Sequence, residues 1–459
     1  MSGPLFAGLD LGSTSIKLLI LDGEGVELLT EQVATPWRHG PGGTTELDAD
    51  ALTAAIEDLL GAAARRLAEV CAEDRADADA DARIAGLAIA GMGETGFLVD
   101  GSGAPVSPGF AWFDPRGREE ALALPAEVRR EFAGRTGLPL GAQVTVAKLA
   151  HLRARGMDLE GKRWLNLPEF VAMTLGGDVA LEYSLTSRTG LLDQDTGEPW
   201  PAMLEALGVG SSFLPPLRSG GDSWGAVGAD VPPPFAGARL AVAGHDHLVA
   251  AEAGGGIDPD RYHVSMGTAE VLLRVIDGPL GYEARTRLAE RLINEVRHVV
   301  PGKHVLVAGV KSGLVLRRVL QSVGISDRAG RDALDAAVME LPYEGALEDD
   351  GIEISGARND DGVFRMTVRT DGVSPAEIFG AALRHSNDEI AILIEAMDRE
   401  IPPATSSLLT GGWVGMRAVQ RARGRVLPDI AVSSRGQDTA YGAARTAMRS
   451  TSPAHPRAE

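Results

Sequence analysis

Residues 5–21 read Leu5-Phe6-Ala7-Gly8-Leu9-Asp10-Leu11-Gly12-Ser13-Thr14-Ser15-Ile16-Lys17-Leu18-Leu19-Ile20-Leu21. Two short apolar runs flank a Gly–hydroxyl turn, which predicts strand, tight turn, strand. Asp22-Gly23-Glu24-Gly25 is a second hairpin signal before a third strand over Val26 to Val33. Leu52, Ile56, Leu59, Leu60, Ala63, Leu67 and Val70 then recur at helical spacing. Ile84 to Ala90 returns as a short buried strand, after an Asp/Ala-rich stretch from Glu73 to Asp81 that is expected to be a solvated loop. The opening layout recurs later. Tyr262 to Met266 is strand-like, Gly267-Thr268 makes the turn, and Val271 to Ile276 resumes a strand. In both copies an Asp lies ten residues beyond the turn glycine, Asp22 after Gly12 and Asp277 after Gly267. This matched spacing predicts two domains built on one plan.

Further along, Val305 to Val307 reads as a strand and Ser312 to Val323 as a helix. Ser374-Pro375-Ala376-Glu377 is a capping box with Pro at the first helical position, opening a helix to about Arg399. Leu408-Leu409-Thr410 is a strand ending in Gly411-Gly412, with a helix expected from Trp413 and another from Asp438. Pro232-Pro233-Pro234 stiffens the approach to a strand over Arg239 to Ala243. The boundary between halves is expected in the Gly254-Gly255-Gly256 run, giving domains over 1–255 and 256–447 and a frayed tail over 448–459.

The 459 residues exceed what one compact core normally holds, and 44% apolar residues fit a globular chain. No run approaches the roughly 20 apolar residues that span a bilayer. Met1-Ser2-Gly3-Pro4 lacks the basic start of a signal peptide, so a cytoplasmic protein is expected. Cys71 is the single cysteine, which excludes an intramolecular disulfide, and a structural thiol is expected there. A net charge of −20 argues against nucleic-acid and anionic-membrane partners. An anionic ligand such as ATP must then be held by Gly-rich turns, helix N-termini and a divalent cation.

The chain contains no Gly-x-x-x-x-Gly-Lys-Ser/Thr loop, so any phosphate must be bound in another way. Asp10 ends the first strand just before Gly12-Ser13-Thr14. A glycine lets phosphate approach the backbone, hydroxyls can donate, and a carboxylate can hold hydrated Mg²⁺. An Asp capping a routine hairpin fits the same residues.

Ala7-Gly8-Leu9-Asp10-Leu11-Gly12-Ser13-Thr14-Ser15 resembles the first phosphate motif of the FGGY carbohydrate kinases, of the actin/sugar-kinase/Hsp70 superfamily. Trp112-Phe113-Asp114-Pro115-Arg116 resembles the family's Trp-x-Asp-x-Arg. Ala243-Gly244-His245-Asp246 is similar to the segment carrying the catalytic aspartate. Ser265-Met266-Gly267-Thr268 resembles the second phosphate motif, Leu409-Thr410-Gly411-Gly412 the adenosine motif, and Tyr441-Gly442-Ala443-Ala444 the closing helix. These six segments occur in the family's order from residue 5 to about 447. The resemblance implies two RNase H-like (actin-like ATPase) α/β domains flanking a central cleft. It implies that Asp10 positions Mg²⁺ and that Gly12, Ser13 and Thr14 face the phosphates from the first domain, Gly267 and Thr268 from the second. Gly411 and Gly412 let the nucleotide lie against backbone, and Asp246 is the general base.

Asp246 also stands out by itself, following the apolar strand Leu240 to Ala243 at the end where α/β sites gather. His245 and His247 flank it, and a His-Asp-His triplet suits a metal. On an extended chain, however, both imidazoles point away from Asp246. They are carried as acceptor-side candidates, with hydrogen-bonded structure as the alternative. Two departures bear on the substrate. Ala90-Gly91-Met92-Gly93-Glu94-Thr95 stands where the family commonly has Ser-Gly-Gln-x-His-Gly, so the Gln and His of pentulose kinases are absent. Gly93-Glu94-Thr95 is similar to the Arg-Glu-Thr of glycerol kinases, without its Arg. Trp413 replaces a glycine of the adenosine motif. Glu94, Thr95, Trp112, Asp114 and Arg116 are expected to line the acceptor pocket; the alternatives are a Glu94 paired with a nearby Arg and an ordinary surface ion pair for Asp114 and Arg116. The expected function is transfer of the γ-phosphate of ATP to a hydroxyl of a sugar or polyol. The alternatives are a regulatory ATPase of the same superfamily and a sugar-sensing, non-catalytic kinase. Which sugar is used, and whether the chain forms a homodimer, the sequence leaves open.

Overall fold

A computed structural model describes residues 3–73, 83–255, 257–342, 351–358, 363–433 and 438–451. The expected loop over 74–81, Gly256 of the expected hinge and the tail beyond 451 lie outside the described residues.

The first sheet contains β1 (Leu5–Leu11), β2 (Ser15–Leu21), β3 (Glu27–Ala34), β4 (Ile84–Gly91), β5 (Ser223–Ala226) and β6 (Arg239–His245), in spatial order β5-β6-β4-β1-β2-β3. β1, β2 and β3 form an antiparallel meander, while β1, β4 and β6 run parallel. The second sheet repeats the arrangement with β7 (Arg261–Met266), β8 (Glu270–Asp277), β9 (Ile293–Arg297), β10 (Lys303–Val310), β11 (Ser406–Thr410) and β12 (Ile430–Val432), in order β9-β10-β8-β7-β11-β12. Here β7, β8 and β10 form the meander, and β7, β11 and β12 are parallel. Each sheet thus has the strand order 3-2-1-4-5, with one extra antiparallel strand on an edge. The repeat read from the two Gly turns is a repeat of the whole sheet.

Every residue of β1 is buried, as a strand covered on both faces must be. Helix α1 (Ala49–Glu73) covers β2 and β3. The other face is covered by the last helix of the chain, Asp438–Thr451, which packs on β1, β4 and β6. Grouped with the second half by the sequence boundaries, this helix belongs physically to the first sheet. The small residues of its Gly442-Ala443-Ala444 segment explain the fit. A Cβ on Gly8 would lie 2.0 Å from the Ala440 carbonyl oxygen, and one on Gly442 would lie 2.5 Å from that of Val249. The helix continues through Thr451, past the expected start of the tail.

Helix α2 (Ala126–Thr136) packs on α4 (Tyr282–Ala289), and α3 (Asp246–Ala253) follows β6 directly. In the second half, α5 (Ser312–Ser322), α6 (Arg328–Glu340) and α7 (Pro375–Asp398) pack together. The Ser374/Glu377 capping box is formed in both directions. The helix expected from Trp413 begins instead at Arg417 and runs to Arg423 (α8). Its first amides are donated to the Asp335 carboxylate of α6 (Arg417 N to Oδ2, 3.0 Å; Ala418 N to Oδ1, 2.8 Å). A side chain more than eighty residues away therefore sets where the helix starts. No helix among the described residues is long and apolar enough to cross a membrane.

Candidate active site

The parallel strands β1, β4 and β6 bring the chemistry-bearing residues to one sheet edge. Their register places Asp10 beside Ala90, and Ala90 beside Gly244. Asp10, Glu94 and Asp246 therefore leave three neighbouring strands at the same carboxyl end, where sites of α/β sheets form. Asp10 is buried, and desolvation pushes its carboxyl up to about 7, helped by repulsion from Asp246 and opposed by Lys17. Burial also pushes the Asp246 carboxyl up, but His247, His245, the His247 amide and Arg188 outweigh it and hold it below its ordinary range. Two nearby carboxyls with pKa values driven apart are the pattern of a site with divided roles.

The His-Asp-His triplet is arranged differently from the extended-chain expectation. The chain turns from strand to helix at Asp246, so alternation of faces ends there. His245 Nδ1 lies 3.4 Å from Asp246 Oδ1, and the two imidazole rings are 5.6 Å apart. The His247 N–H donates to Asp246 Oδ1 at 2.6 Å. Burial drives His245 well below its usual range, against the pull of the Asp246 carboxylate.

Glu94 is buried in a left-handed conformation, φ 62°. Its Oε1 accepts from Arg188 Nε at 2.7 Å and pairs with Nη2 at 2.5 Å. The guanidinium that the glycerol-kinase-like segment lacks locally thus arrives from a residue 94 positions later. A pairing with some Arg is the alternative reading of Glu94; that the partner is Arg188 the sequence does not say. Arg188 Nη1, Thr95 Oγ1 and His245 Nδ1 are all buried without a hydrogen-bond partner.

Asp114 spends both carboxylate oxygens on the chain itself. They accept from the Thr45 amide (2.6 Å) and from the Arg116 amide, Nε and Nη2. Arg116 also reaches Glu46 at 2.6 Å and stacks 4.4 Å from the Phe110 ring centroid. Asp114 is buried while Arg116 and Glu46 are partly exposed, so the pair is anchored from within and is not an ordinary surface ion pair. The adjoining Trp112 is 38% exposed and packs edge-on against Phe113, ring centroids 5.3 Å apart.

The first Gly turn is tied back from its carbonyl side. Thr35 Oγ1 donates to the Gly12 carbonyl and Trp37 Nε1 to the Ser13 carbonyl, each at 2.7 Å. These bonds use the turn's carbonyls and none of its amides. In the second half three backbone segments converge. A Cβ on Gly411 (φ 96°) would lie 2.6 Å from the Met266 carbonyl oxygen, and one on Gly313 would lie 1.8 Å from that of Gly267. The Leu314 amide donates to the Thr268 carbonyl at 2.9 Å. The N-terminus of α5, with the buried and unpartnered Ser312 hydroxyl, therefore lies beside Gly267-Thr268. The sequence reading missed Ser312 and Gly313, although a strand running into a helix through Ser-Gly is a recognisable anion-site signal. Gly412 has open space around it.

Comparison with known proteins decides the family. Residues 5–251 match the N-terminal domain of the FGGY family of carbohydrate kinases. The chain belongs to that family. A glycerol kinase of Rhizorhabdus wittichii is 26% identical over 358 residues, covering 73% of this chain and 66% of the relative. A xylulose kinase of Escherichia coli is 23% identical over 403 residues, covering 84% and 75%. For the Lactococcus lactis and Streptomyces rubiginosus xylulose kinases the match spans little more than half of the relative, 56% and 54%. Among solved structures, a "xyloylose kinase" from Brucella ovis superposes with a TM-score of 0.85 at 20% identity, covering 98% of this chain and 91% of the other. A Plasmodium falciparum glycerol kinase with ADP gives 0.83 at 16% identity, covering 98% and 90%. These superpositions establish the two-domain, actin-like ATPase fold for this FGGY chain.

Proposed function

We propose that the chain is an ATP-dependent kinase that transfers the γ-phosphate to a hydroxyl of a sugar or polyol. The observation that carries this reading is the gathering of Asp10, Asp246 and the Glu94/Arg188 pair at the carboxyl ends of β1, β6 and β4. Asp246, held ionised and oriented by the His247 amide, takes the acceptor hydroxyl's proton as the oxygen attacks phosphorus. Thr95, Arg188 and His245 supply unpartnered polar atoms on the acceptor side, and Glu94 accepts hydroxyl hydrogens. Gly12, Ser13, Thr14, Gly267 and Thr268 hold phosphates through backbone amides and hydroxyls, and Gly411 and Gly412 accommodate the nucleoside.

Asp10 fits a magnesium ion. It is a hard oxygen donor whose pKa is raised by burial and then by repulsion from Asp246, and a cation offsets both. Mg²⁺ keeps several waters and is usually bound through one or two carboxylates and the substrate's phosphates, so Asp10 is the protein's share of the site. When bound, Mg²⁺ offsets phosphate charge during transfer. We place the boundary between acceptor and nucleotide halves at the Gly254–Gly256 run.

The test is ADP release with Mg²⁺-ATP over a panel of ketoses, polyols and sugar acids. One acceptor class should raise ADP release far above the acceptor-free rate and appear as its phosphate ester. Asp246→Asn should lower that turnover by roughly 10²–10⁴-fold with KM for ATP unchanged. Phosphate release independent of every acceptor, or an Asn variant with full turnover, overturns the reading.

A further inference from the structure

The strand end that delivers Asp246 is irregular. Pairing between β6 and β4 steps from Val242–Ile89 to Gly244–Ala90, so Ala243 is extra, and Gly244 takes φ 118°. A bulge of this kind re-aims the residues that follow it. Three groups hold it. A Cβ on Gly244 would lie 2.5 Å from Val299 Cγ1, 2.7 Å from Ser184 Oγ and 3.2 Å from Glu182 Oε2. The Ser184 hydroxyl donates to Glu182 Oε2 at 2.6 Å and accepts the His245 N–H at 3.0 Å. A serine hydroxyl has a single hydrogen; with it committed to Glu182, the oxygen that faces His245 must act as acceptor. Glu182 is itself fixed, since Oε2 also accepts the Leu185 amide at 3.0 Å and the Glu182 amide donates to Glu169 Oε1 at 2.7 Å.

Glu182 and Ser184 are wholly buried, and a buried carboxyl costs free energy that an apolar residue of the same size avoids. Packing alone does not account for them. We infer that Glu182 and Ser184 are positioning residues for Asp246: Glu182 orients the Ser184 hydroxyl, Ser184 holds the His245 amide, and the bulge is thereby locked with Asp246 as the first helical residue. Val299 closes the third side from the second half of the chain. The inference rests on Asp246 being the base.

The experiment compares Ser184→Ala, Glu182→Leu and Glu182→Gln. Ser184→Ala and Glu182→Leu should lower kcat by roughly 10- to 100-fold, the cost of a base displaced by up to about 1 Å, with KM for acceptor and ATP nearly unchanged. Glu182→Gln should recover most of that loss, because its carbonyl oxygen still accepts both bonds. In an Asp246→Asn background Ser184→Ala should add no further loss. Equal loss in Glu182→Gln, a loss that tracks the folded fraction, or full additivity with Asp246→Asn overturns the inference. A second readout does not need turnover. The ring NMR signals of His245 and His247 should shift in Ser184→Ala and Glu182→Leu and stay near wild type in Glu182→Gln. Unchanged signals in all three overturn the positioning role even if no acceptor is ever phosphorylated, an outcome that by itself speaks only against the kinase reading.

Discussion

Glu94 carried two readings in the sequence, a hydroxyl acceptor in the pocket and the partner of an Arg, and the structure gives it an Arg. Its place after the buried strand β4 marked it as a candidate, and the ion pair with Arg188 supplies the partner that the local motif lacks. Burial pushes the Glu94 carboxyl up, while Arg188 pulls it back by charge and hydrogen bond. Removing one member of such a pair strands the other in a dry site, at about 3–5 kcal/mol. Glu94→Ala should therefore lower acceptor kcat/KM by roughly 10- to 150-fold, the worth of a charged hydrogen bond, and lower Tm as well. Adding Arg188→Met should restore most of the Tm and none of the kcat/KM. Recovery of both would mean that Glu94 serves only to neutralise Arg188.

Among the elements, the hairpin between β7 and β8 and the helix α8 depend on contacts that sequence order separates. Gly411 meets the Met266 backbone where no side chain fits, with a positive φ that disfavours any other residue. Gly411→Ala should raise KM for ATP by about tenfold or more and leave acceptor KM unchanged, as steady-state kinetics with each substrate varied can check. Equal effects on both would place Gly411 in global packing. Ser374→Ala is the matching control, because it removes the capping box of α7, whose bonds involve only Ser374 and Glu377. It should cost about 1 kcal/mol by urea denaturation with kinetic constants unchanged. Buried contacts anchor the same region: Arg423 lies wholly inside, paired to both Glu270 oxygens at 2.7 Å and to Asn387 at 2.6 Å, and so ties the start of β8 to α7 and α8.

For the whole molecule, the two halves are joined along an edge of the second sheet as well as by the chain. The Glu295 amide of β9 donates to the Gly137 carbonyl at 2.9 Å, and the fully buried Arg285 reaches Gly134 at 2.5 Å and Asp195 at 2.8 Å. Leu273, Val296, Val305 and Val307 share a core with the first half. Stability against pH follows from the buried groups. Burial raises Asp10 and Glu182 to about 7 and Glu169 to about 8, so the native state keeps protons that the unfolded chain has lost. Unfolding free energy must fall with rising pH through that window. Below pH 6.5 the buried histidines act in the opposite direction, since His263 and His298 are lowered to about 4 and the native state binds fewer protons. Between pH 6.5 and 8 the unfolded chain's histidines finish losing their protons, and the acids outweigh them. Stability should drop there by about 2 kcal/mol, read as a falling urea midpoint. A midpoint that rises over this range would show that these carboxyls ionise freely in the folded state.

Local periodicity and turn chemistry were enough to place the two hairpins, the capped helix α7, the strand before Asp246 and the repeat of one plan in both halves. Those signals work because strand alternation, glycine turns and caps are decided within a few residues. Asp10, Glu94 and Asp246 were legible as candidates for the same reason, each sitting just past an apolar run. What tertiary structure alone decided are pairings across long stretches of chain: Arg188 with Glu94, Asp335 at the start of α8, Ser184 under the His245 amide, and the last helix returning to β1. A buried charge or hydroxyl needs some partner, but which of many distant residues provides it depends on how the sheets and helices stack. The turn of the chain at Asp246 is of the same kind, because Gly244 marks an irregular strand end but not how a neighbouring segment turns the residues after it.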